Sequence, residues 1–96
     1  MSKVILITGT SSGLGASLSV QAARAGHKVY ATMRDLAKRG PLDAAAAGLP
    51  LTVLQLDVQD DASISAAVAD VIAREGRIDV LVNNAGAGFV RSLEQA

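Results

Sequence analysis

The sequence predicts an α/β fold built on a doubly wound parallel sheet, truncated to about four strands in the order 3-2-1-4. Short apolar runs alternate with segments of helical periodicity along the 96 residues. The runs are continuously apolar, which is typical of parallel strands covered by helices on both faces. Glycine-rich segments follow the first and fourth runs, where this strand order opens a ligand crevice. We therefore expect one domain over residues 1–96.

Four apolar segments predict the strands. They are Val4–Ile7 and residues 28–32, 51–56 and 79–82. The first is rich in β-branched residues and ends at Thr8-Gly9, so the chain is expected to turn sharply off this strand. Right-handed crossovers are expected between consecutive strands.

The segments between the strands predict helices. Residues 13–25 have an expected packing face with a spacing of four, and Gly26 is the stop signal. That face consists of Leu14, Leu18 and Ala22. Residues 35–47 predict a helix with an irregular entry, because Gly40-Pro41 interrupts it. The third helix is capped by Asp60 or Asp61 and ends at Gly76. Its expected buried stripe is Ile64, Val68, Val71 and Ile72.

Composition excludes several classes of function. Nine basic and nine acidic residues give a formal net charge of zero, which provides no field for nucleic acid or an anionic membrane. The chain has no cysteine for disulfides or thiolate metal sites, and its single histidine, His27, makes no metal cluster. No secretory signal is visible, and Val4–Ile7 is far shorter than the roughly 18 residues of a membrane span. We expect a soluble cytoplasmic protein without metal.

The segment Thr8–Gly15 follows a strand and opens a helix, and it predicts a dinucleotide site. Gly9 permits the sharp turn, Gly13 allows close approach of a bulky anion, and Gly15 permits close helix packing. The N–H groups at the helix start favour a pyrophosphate. The spacing is G-x-x-x-G-x-G, and no Gly-Lys-Ser/Thr closes it as in a P-loop. An ordinary strand-to-helix turn is the alternative.

The end of the second strand bears on the choice of cofactor. An acidic residue about 20 positions beyond the turn selects NAD(H), whereas an arginine there pairs with the 2′-phosphate of NADP(H). Met33 occupies the expected acidic position and Arg34 follows it. We therefore expect NADP(H), since a guanidinium matches a phosphate in charge and geometry. If the register slips by one, Asp35 becomes the ribose acceptor and NAD(H) is the cofactor.

Two further segments fit the same ligand. Asp57-Val58 follows the third strand, where a carboxylate could accept from the adenine amino group, although it could equally be a turn or capping residue. Asn84-Ala85-Gly86 follows the fourth strand and could lie under the adenosine ribose, or it could be a simple turn.

Together these motifs resemble the short-chain dehydrogenases/reductases. The matching pieces are Thr8–Gly15, Leu56-Asp57-Val58 and Asn83-Asn84-Ala85-Gly86, in the family's order and separations. The resemblance implies a Rossmann-type fold and a nicotinamide cofactor. It implies that Asn83 to Gly86 steady the central sheet and line the ribose pocket. Residues 29–36 look like NADP-preferring members, some of which act on steroids or retinoids. The expected cofactor-binding residues are Gly9, Thr10, Ser11, Ser12, Gly13, Leu14, Gly15, Arg34, Asp57, Val58, Asn84, Ala85 and Gly86.

The family's hydride chemistry uses a serine, a Tyr-x-x-x-Lys pair and an asparagine. This chain has one tyrosine, Tyr30, with Arg34 four residues on, so Tyr30 is interpreted as a packing residue. No catalytic residue is assigned, and the chain is expected to be the front part of a longer, homo-oligomeric enzyme acting on a carbonyl or alcohol. Alone it is expected to be inactive and sticky, with residues 80–82 on an unpaired sheet edge.

Two other functions stay open at this point. The chain could be a non-catalytic nucleotide-binding or redox-sensing module, or an interaction fragment that completes the sheet of another chain. Binding of NADPH or NADH separates the first of these from the second.

Overall fold

The computed structural model describes residues 2–11, 13–84 and 91–94. The strands are β1 (Val4–Ile7), β2 (Lys28–Met33), β3 (Leu51–Gln55), β4 (Val80–Asn83) and β5 (Arg91–Glu94). The helices are α1 (Gly13–Arg24), α2 (Gly40–Ala45) and α3 (Asp61–Glu75), and a 3-10 helix (Leu36–Lys38) precedes α2. Within the described residues, no helix combines the length and apolar character that crossing a membrane requires.

The first four strands form a parallel sheet in the predicted order 3-2-1-4, which confirms the fold class. The register pairs Leu6 of β1 with Tyr30 of β2 on one side and with Leu81 of β4 on the other. Strands β1 and β4 are parallel neighbours, so the turn after Ile7 and the segment after Asn83 begin side by side at the carboxyl ends of the strands.

Apolar side chains cover both faces of the sheet. On the face packed against α3, the buried residues are Val4, Leu6, Tyr30, Val71 and Ile78. On the opposite face, beneath α1 and α2, they are Ile7, Ala23, Val29, Ala31, Met33, Leu42 and Val53. The alternation along β1 and β2 follows the two-residue period of a strand, so each continuous apolar run supplies both cores.

Helix α1 packs through a different face from the predicted one. Its buried residues are Gly15, Ser19 and Ala23. They have the expected spacing of four but are shifted by one position, so Leu14 is 54% exposed, while Leu18 and Ala22 border the core. Ser19 can be buried because its hydroxyl donates to the Gly15 carbonyl at 2.7 Å.

Gly15 fixes this phase of the helix. A Cβ at Gly15 would lie 2.2 Å from the carbonyl oxygen of Gly9 and 2.7 Å from Nδ2 of Asn84. Such distances are far inside van der Waals contact, and the first is to backbone that cannot rotate away. The first turn of α1 therefore lies directly on the turn after β1.

Helix α3 begins and ends as predicted. The Asp60 carboxylate caps it by accepting from the N–H groups of Ala62 and Ser63, and the Gly76 N–H donates to the Ile72 carbonyl. The predicted buried stripe was wrong at Ile72, which is 43% exposed. Adjacent helical positions differ by about 100° in direction, so with Val71 facing the sheet, Ile72 lies at the side of the helix and borders an open cavity with Leu81, and the buried neighbour of Val71 is Ala67.

The outer edge of β4 is paired, and the predicted unpaired edge at residues 80–82 was wrong. Strand β5 runs antiparallel to β4, with Val80 opposite Glu94 and Asn83 opposite Arg91. An open row of N–H and C=O groups readily accepts another strand, and here the chain itself supplies that strand.

Polar contacts join the amino-terminal ends of β1 and β4. The Asp79 N–H donates to the Val4 carbonyl at 2.9 Å, and the Asp79 carboxylate accepts from the Val4 N–H at 2.8 Å. Arg77 donates to the same carboxylate at 2.9 Å. The Arg77 guanidinium and the Val4 N–H together lower the pKa of Asp79.

Tyr30 agrees with the predicted packing role. It is 4% exposed among apolar side chains, and its hydroxyl donates to the Glu75 carboxylate. Burial, together with this carboxylate, raises the pKa of Tyr30. The same hydrogen bond lowers the pKa of Glu75.

The contact at Gly15 predicts a specific loss of stability. Gly15→Ala should lower the free energy of unfolding by about 1–3 kcal/mol, the usual cost of overpacking, because Gly9 backbone must shift. Gly40→Ala is the matched control, since a Cβ at Gly40 meets nothing within 4 Å. Urea denaturation measures both variants. Equal midpoints for Gly15→Ala and the parent chain would contradict the close approach.

The Asp79 contacts predict a pH dependence. The folded pKa of Asp79 lies below its unfolded value of about 3.9, so its contribution to stability is present above that pH and is lost as pH falls through the folded pKa. The denaturation midpoint should therefore fall more steeply below about pH 4 for the parent chain than for Asp79→Asn. Parallel midpoint-against-pH curves would show that Asp79 does not anchor β1.

Candidate functional site

A cleft of about 310 Å³ lies at the carboxyl ends of the parallel strands. It brings together residues from four separate segments of the chain. Its lining is Gly9, Ser11, Met33, Arg34, Leu56, Asp57, Val58, Gln59 and Asn84. Six of these were predicted as site residues, namely Gly9, Ser11, Arg34, Asp57, Val58 and Asn84. The strand order places the cleft where a ligand crevice is expected.

The turn between β1 and α1 forms one wall of the cleft. Gly9 has φ 68° and Gly13 has φ 63°, conformations that side chains rarely adopt, so both positions favour glycine. Helix α1 begins at Gly13 and has no acidic residue in its first turn. Its terminal N–H groups and the positive end of its dipole lie two residues after Ser11, which lines the cleft, and have no compensating carboxylate in their own turn, an arrangement that suits an anion.

Hydrogen bonds tie this turn to the end of β4. The Thr8 hydroxyl accepts from the Asn84 N–H at 2.9 Å and donates to the Asn83 side-chain oxygen at 3.2 Å. The Asn84 side-chain amide donates to the Gly9 carbonyl at 3.2 Å. The short polar side chains at the carboxyl ends of β1 and β4 thus fix the path of the backbone through the turn.

The other described residues predicted in the turn are not among those that line the cleft. Thr10 is fully buried, Leu14 is exposed on the first turn of α1, and Gly15 faces Gly9. Gly13 opens α1, with no protein atom within 4 Å of where its Cβ would be. Ser12, Ala85 and Gly86 fall outside the described residues.

Met33 and Arg34 form the wall at the end of β2, and the side chains of Arg34 and its neighbour Asp35 differ in their hydrogen bonding. The Asp35 carboxylate accepts from the Ala37 N–H at 3.0 Å and caps the 3-10 helix. Arg34 is exposed and lines the cleft, and its guanidinium has no hydrogen bond or ion pair within the part of the chain that the structure describes. The Arg34 carbonyl accepts from the Gln55 side chain at 3.2 Å, which holds the backbone in place.

Asp57 and Val58 form the third side of the cleft. One Asp57 carboxylate oxygen accepts from the Gln59 N–H at 2.9 Å, so Asp57 makes the turn that was the alternative to a ligand contact. The Asp57 N–H donates to the Ser63 hydroxyl at 2.9 Å. Val58 is 37% exposed and places an apolar surface beside this carboxylate.

Several residues at the site were not predicted. Leu56 and Gln59 line the cleft on either side of Asp57-Val58, and Thr32 accepts hydrogen bonds from the turn. Leu56 belongs to the matched segment Leu56-Asp57-Val58 but was not assigned a contact, and Gln59 follows that segment directly. The sequence gives a weaker indication for Thr32, because threonine is common in strands and its presence there does not indicate a ligand site.

Comparison with known proteins agrees with the family resemblance of the sequence motifs. A family model described as short chain dehydrogenase matches residues 3–96. Estradiol 17-beta-dehydrogenase 1 of Rattus norvegicus is 52% identical over 101 residues, covering 97% of this chain and 29% of that protein. Retinol dehydrogenase 8 of Bos taurus is 48% identical over 98 residues, covering 96% of this chain and 31% of that protein. The chain thus spans less than a third of either relative.

A solved structure adds a fold comparison. The crystal structure of an actinorhodin polyketide ketoreductase variant with NADPH superposes with a TM-score of 0.76 at 35% identity, over 88% of this chain and 33% of that one. Strand order, glycine turn and family match agree. The chain belongs to the short-chain dehydrogenase family, whose members are oxidoreductases that use nicotinamide dinucleotides.

Proposed function

We propose that the cleft binds NADP(H), with the pyrophosphate at the turn before α1 and the adenosine between Arg34 and Asp57. The observation that carries the proposal is the difference between Arg34 and Asp35. The guanidinium lines the cleft without a protein partner in the described chain, whereas the neighbouring carboxylate caps the 3-10 helix.

This difference favours the 2′-phosphate over the 2′-hydroxyl. A free guanidinium at the cleft supplies a charged, forked donor for a phosphate. The NAD(H) alternative requires Asp35 to accept from the ribose, but Asp35 is not among the residues that line the cleft, and one of its carboxylate oxygens accepts from the Ala37 N–H. It would also leave the Arg34 charge without a counter-charge next to the ribose.

The adenine is proposed to lie against Val58, with the Asp57 carboxylate near its amino group. One Asp57 oxygen holds the turn through the Gln59 N–H, and the carboxylate borders the cleft. Asn84, which spans the cleft floor from β4 to Gly9, is proposed to lie beneath the ribose.

We propose that the chain serves an oxidoreductase that transfers hydride between NADP(H) and a carbonyl or alcohol. The bound nicotinamide supplies or accepts the hydride, and the residues of this chain bind and orient the dinucleotide. The relatives named for estradiol and retinol favour an apolar alcohol or its carbonyl product as the substrate. A homo-oligomeric enzyme is part of the same proposal.

The chemistry is proposed to require residues other than those of this chain. Tyr30 is its only tyrosine, and it lies in the core with its hydroxyl on Glu75. A tyrosine acting as general acid or base at neutral pH needs a lowered pKa, whereas the surroundings of Tyr30 raise it.

Arg34→Ala tests the cofactor assignment. The dissociation constant for NADPH should rise by about tenfold or more, as expected for losing a charge-assisted hydrogen bond, while that for NADH should change by less than about twofold. Isothermal titration of the 96-residue chain measures both. Arg24→Ala removes the same charge at the far end of α1 and should leave both constants unchanged. A parent chain that binds NADH more tightly than NADPH would favour the NAD(H) alternative.

Activity measurements test the division between binding and catalysis. The 96-residue chain should oxidise no NADPH above background with ketosteroids, retinal or simple aldehydes, as followed at the absorbance of the reduced nicotinamide. Titration of the same preparation with NADPH shows that it is folded and able to bind. NADPH oxidation in proportion to the concentration of the chain would contradict the proposal.

A further inference from the structure

We propose that Thr10 is a positioning residue that sets cofactor preference by holding the two walls of the cleft at a fixed separation. The inference rests on the proposed NADP(H) site and assigns it a residue that does not touch the ligand. Thr10 was expected to contact the cofactor, and its surroundings give it a different task.

Both hydrogen-bond donors of Thr10 are used inside the protein. Its hydroxyl donates to the Thr32 carbonyl at 2.9 Å, and its N–H donates to the same oxygen at 3.1 Å. Thr10 and Thr32 are each 0% exposed. A hydroxyl that is fully buried and bonded to a backbone carbonyl cannot also donate to a phosphate in the cleft.

The position of this contact gives it a role in the site. Thr10 lies between Gly9 and Ser11, which line the cleft on the turn side. Thr32 directly precedes Met33 and Arg34, which line it on the β2 side. The two hydrogen bonds therefore join the two walls beneath the cleft floor. The Thr32 hydroxyl in turn donates to the Ile7 carbonyl at 2.9 Å, which ties the end of β2 to β1.

The two cofactors place different demands on this separation. NADP(H) must engage the turn with its pyrophosphate and Arg34 with its 2′-phosphate at the same time. NAD(H) carries no 2′-phosphate, so it needs the turn but gains nothing from Arg34. A change in the separation of the walls should therefore weaken NADP(H) and spare NAD(H).

Thr10→Val tests this inference, because valine keeps the branched shape and removes the hydroxyl. The NADPH dissociation constant should rise by about tenfold, which corresponds to the loss of one charge-assisted hydrogen bond. The NADH dissociation constant should change by less than about twofold. Thr10→Ser restores the hydroxyl and should restore the preference for NADPH. Isothermal titration with NADPH and NADH gives both constants for each variant.

Ser19→Ala is the matched control. It also removes a buried hydroxyl that donates to a backbone carbonyl, but within α1 rather than between the walls. It should change the two dissociation constants by the same factor. If Thr10→Val proves unstable, Thr10→Ala provides the same test, and circular dichroism establishes which variants are folded.

The outcomes separate the two proposals. Equal weakening of NADPH and NADH by Thr10→Val, or no weakening of either, would overturn the positioning role while leaving the NADP(H) site in place. A parent chain that binds neither dinucleotide would overturn the proposed function and this inference with it.

Discussion

The carbonyl of Gly9 lies where a side chain on Gly15 would have to be, and much of the site depends on this contact. It brings the first turn of α1 onto the end of β1, next to the turn that lines the cleft. It also sets the rotation of α1, so that Ser19 rather than Leu18 is fully buried against the sheet. Overpacking here moves backbone, and the helix, the turn and Asn84 move together.

Short polar side chains, rather than buried charges, hold the site in shape. Thr8 connects β1 to Asn83 and Asn84, and Thr10 connects the turn to Thr32. Each hydroxyl is paired with a neighbouring backbone or amide group, so burial leaves no unsatisfied polar atom among the described side chains. The charged groups stand at the rim, where water screens them until a ligand excludes it. Rigid neutral packing beneath and charge at the rim preorganise the cleft.

The parallel strands and the ends of α1 and α3 could be predicted because they depend on local signals, such as the continuous apolar run Val4–Ile7 and the Asp60 cap, whereas the predicted helix 35–47 is a 3-10 helix followed by a short α2. The phase of α1 could not, since its packing face consists of small residues with little contrast in hydropathy. Strand β5 could not be predicted either, because Arg91–Glu94 contains a single apolar residue and no apolar run marks it. The sequence leaves the roles of Arg34 and Asp35 open, because they differ by one residue of register and the cap at Ala37 forms only in the fold.

The central place of β1 also has a consequence for folding during synthesis. Its partner β2 begins about 24 residues after β1, whereas Asp79, which directly precedes β4, lies 75 residues after Val4. At about 5–20 residues per second, β1 spends about 4–15 seconds on the ribosome before its second neighbour exists. Throughout that interval an apolar strand has at least one open edge, and neither the cleft floor at Asn84 nor the anchor at Asp79 can form. The cleft is thus completed late, in the order in which the chain emerges.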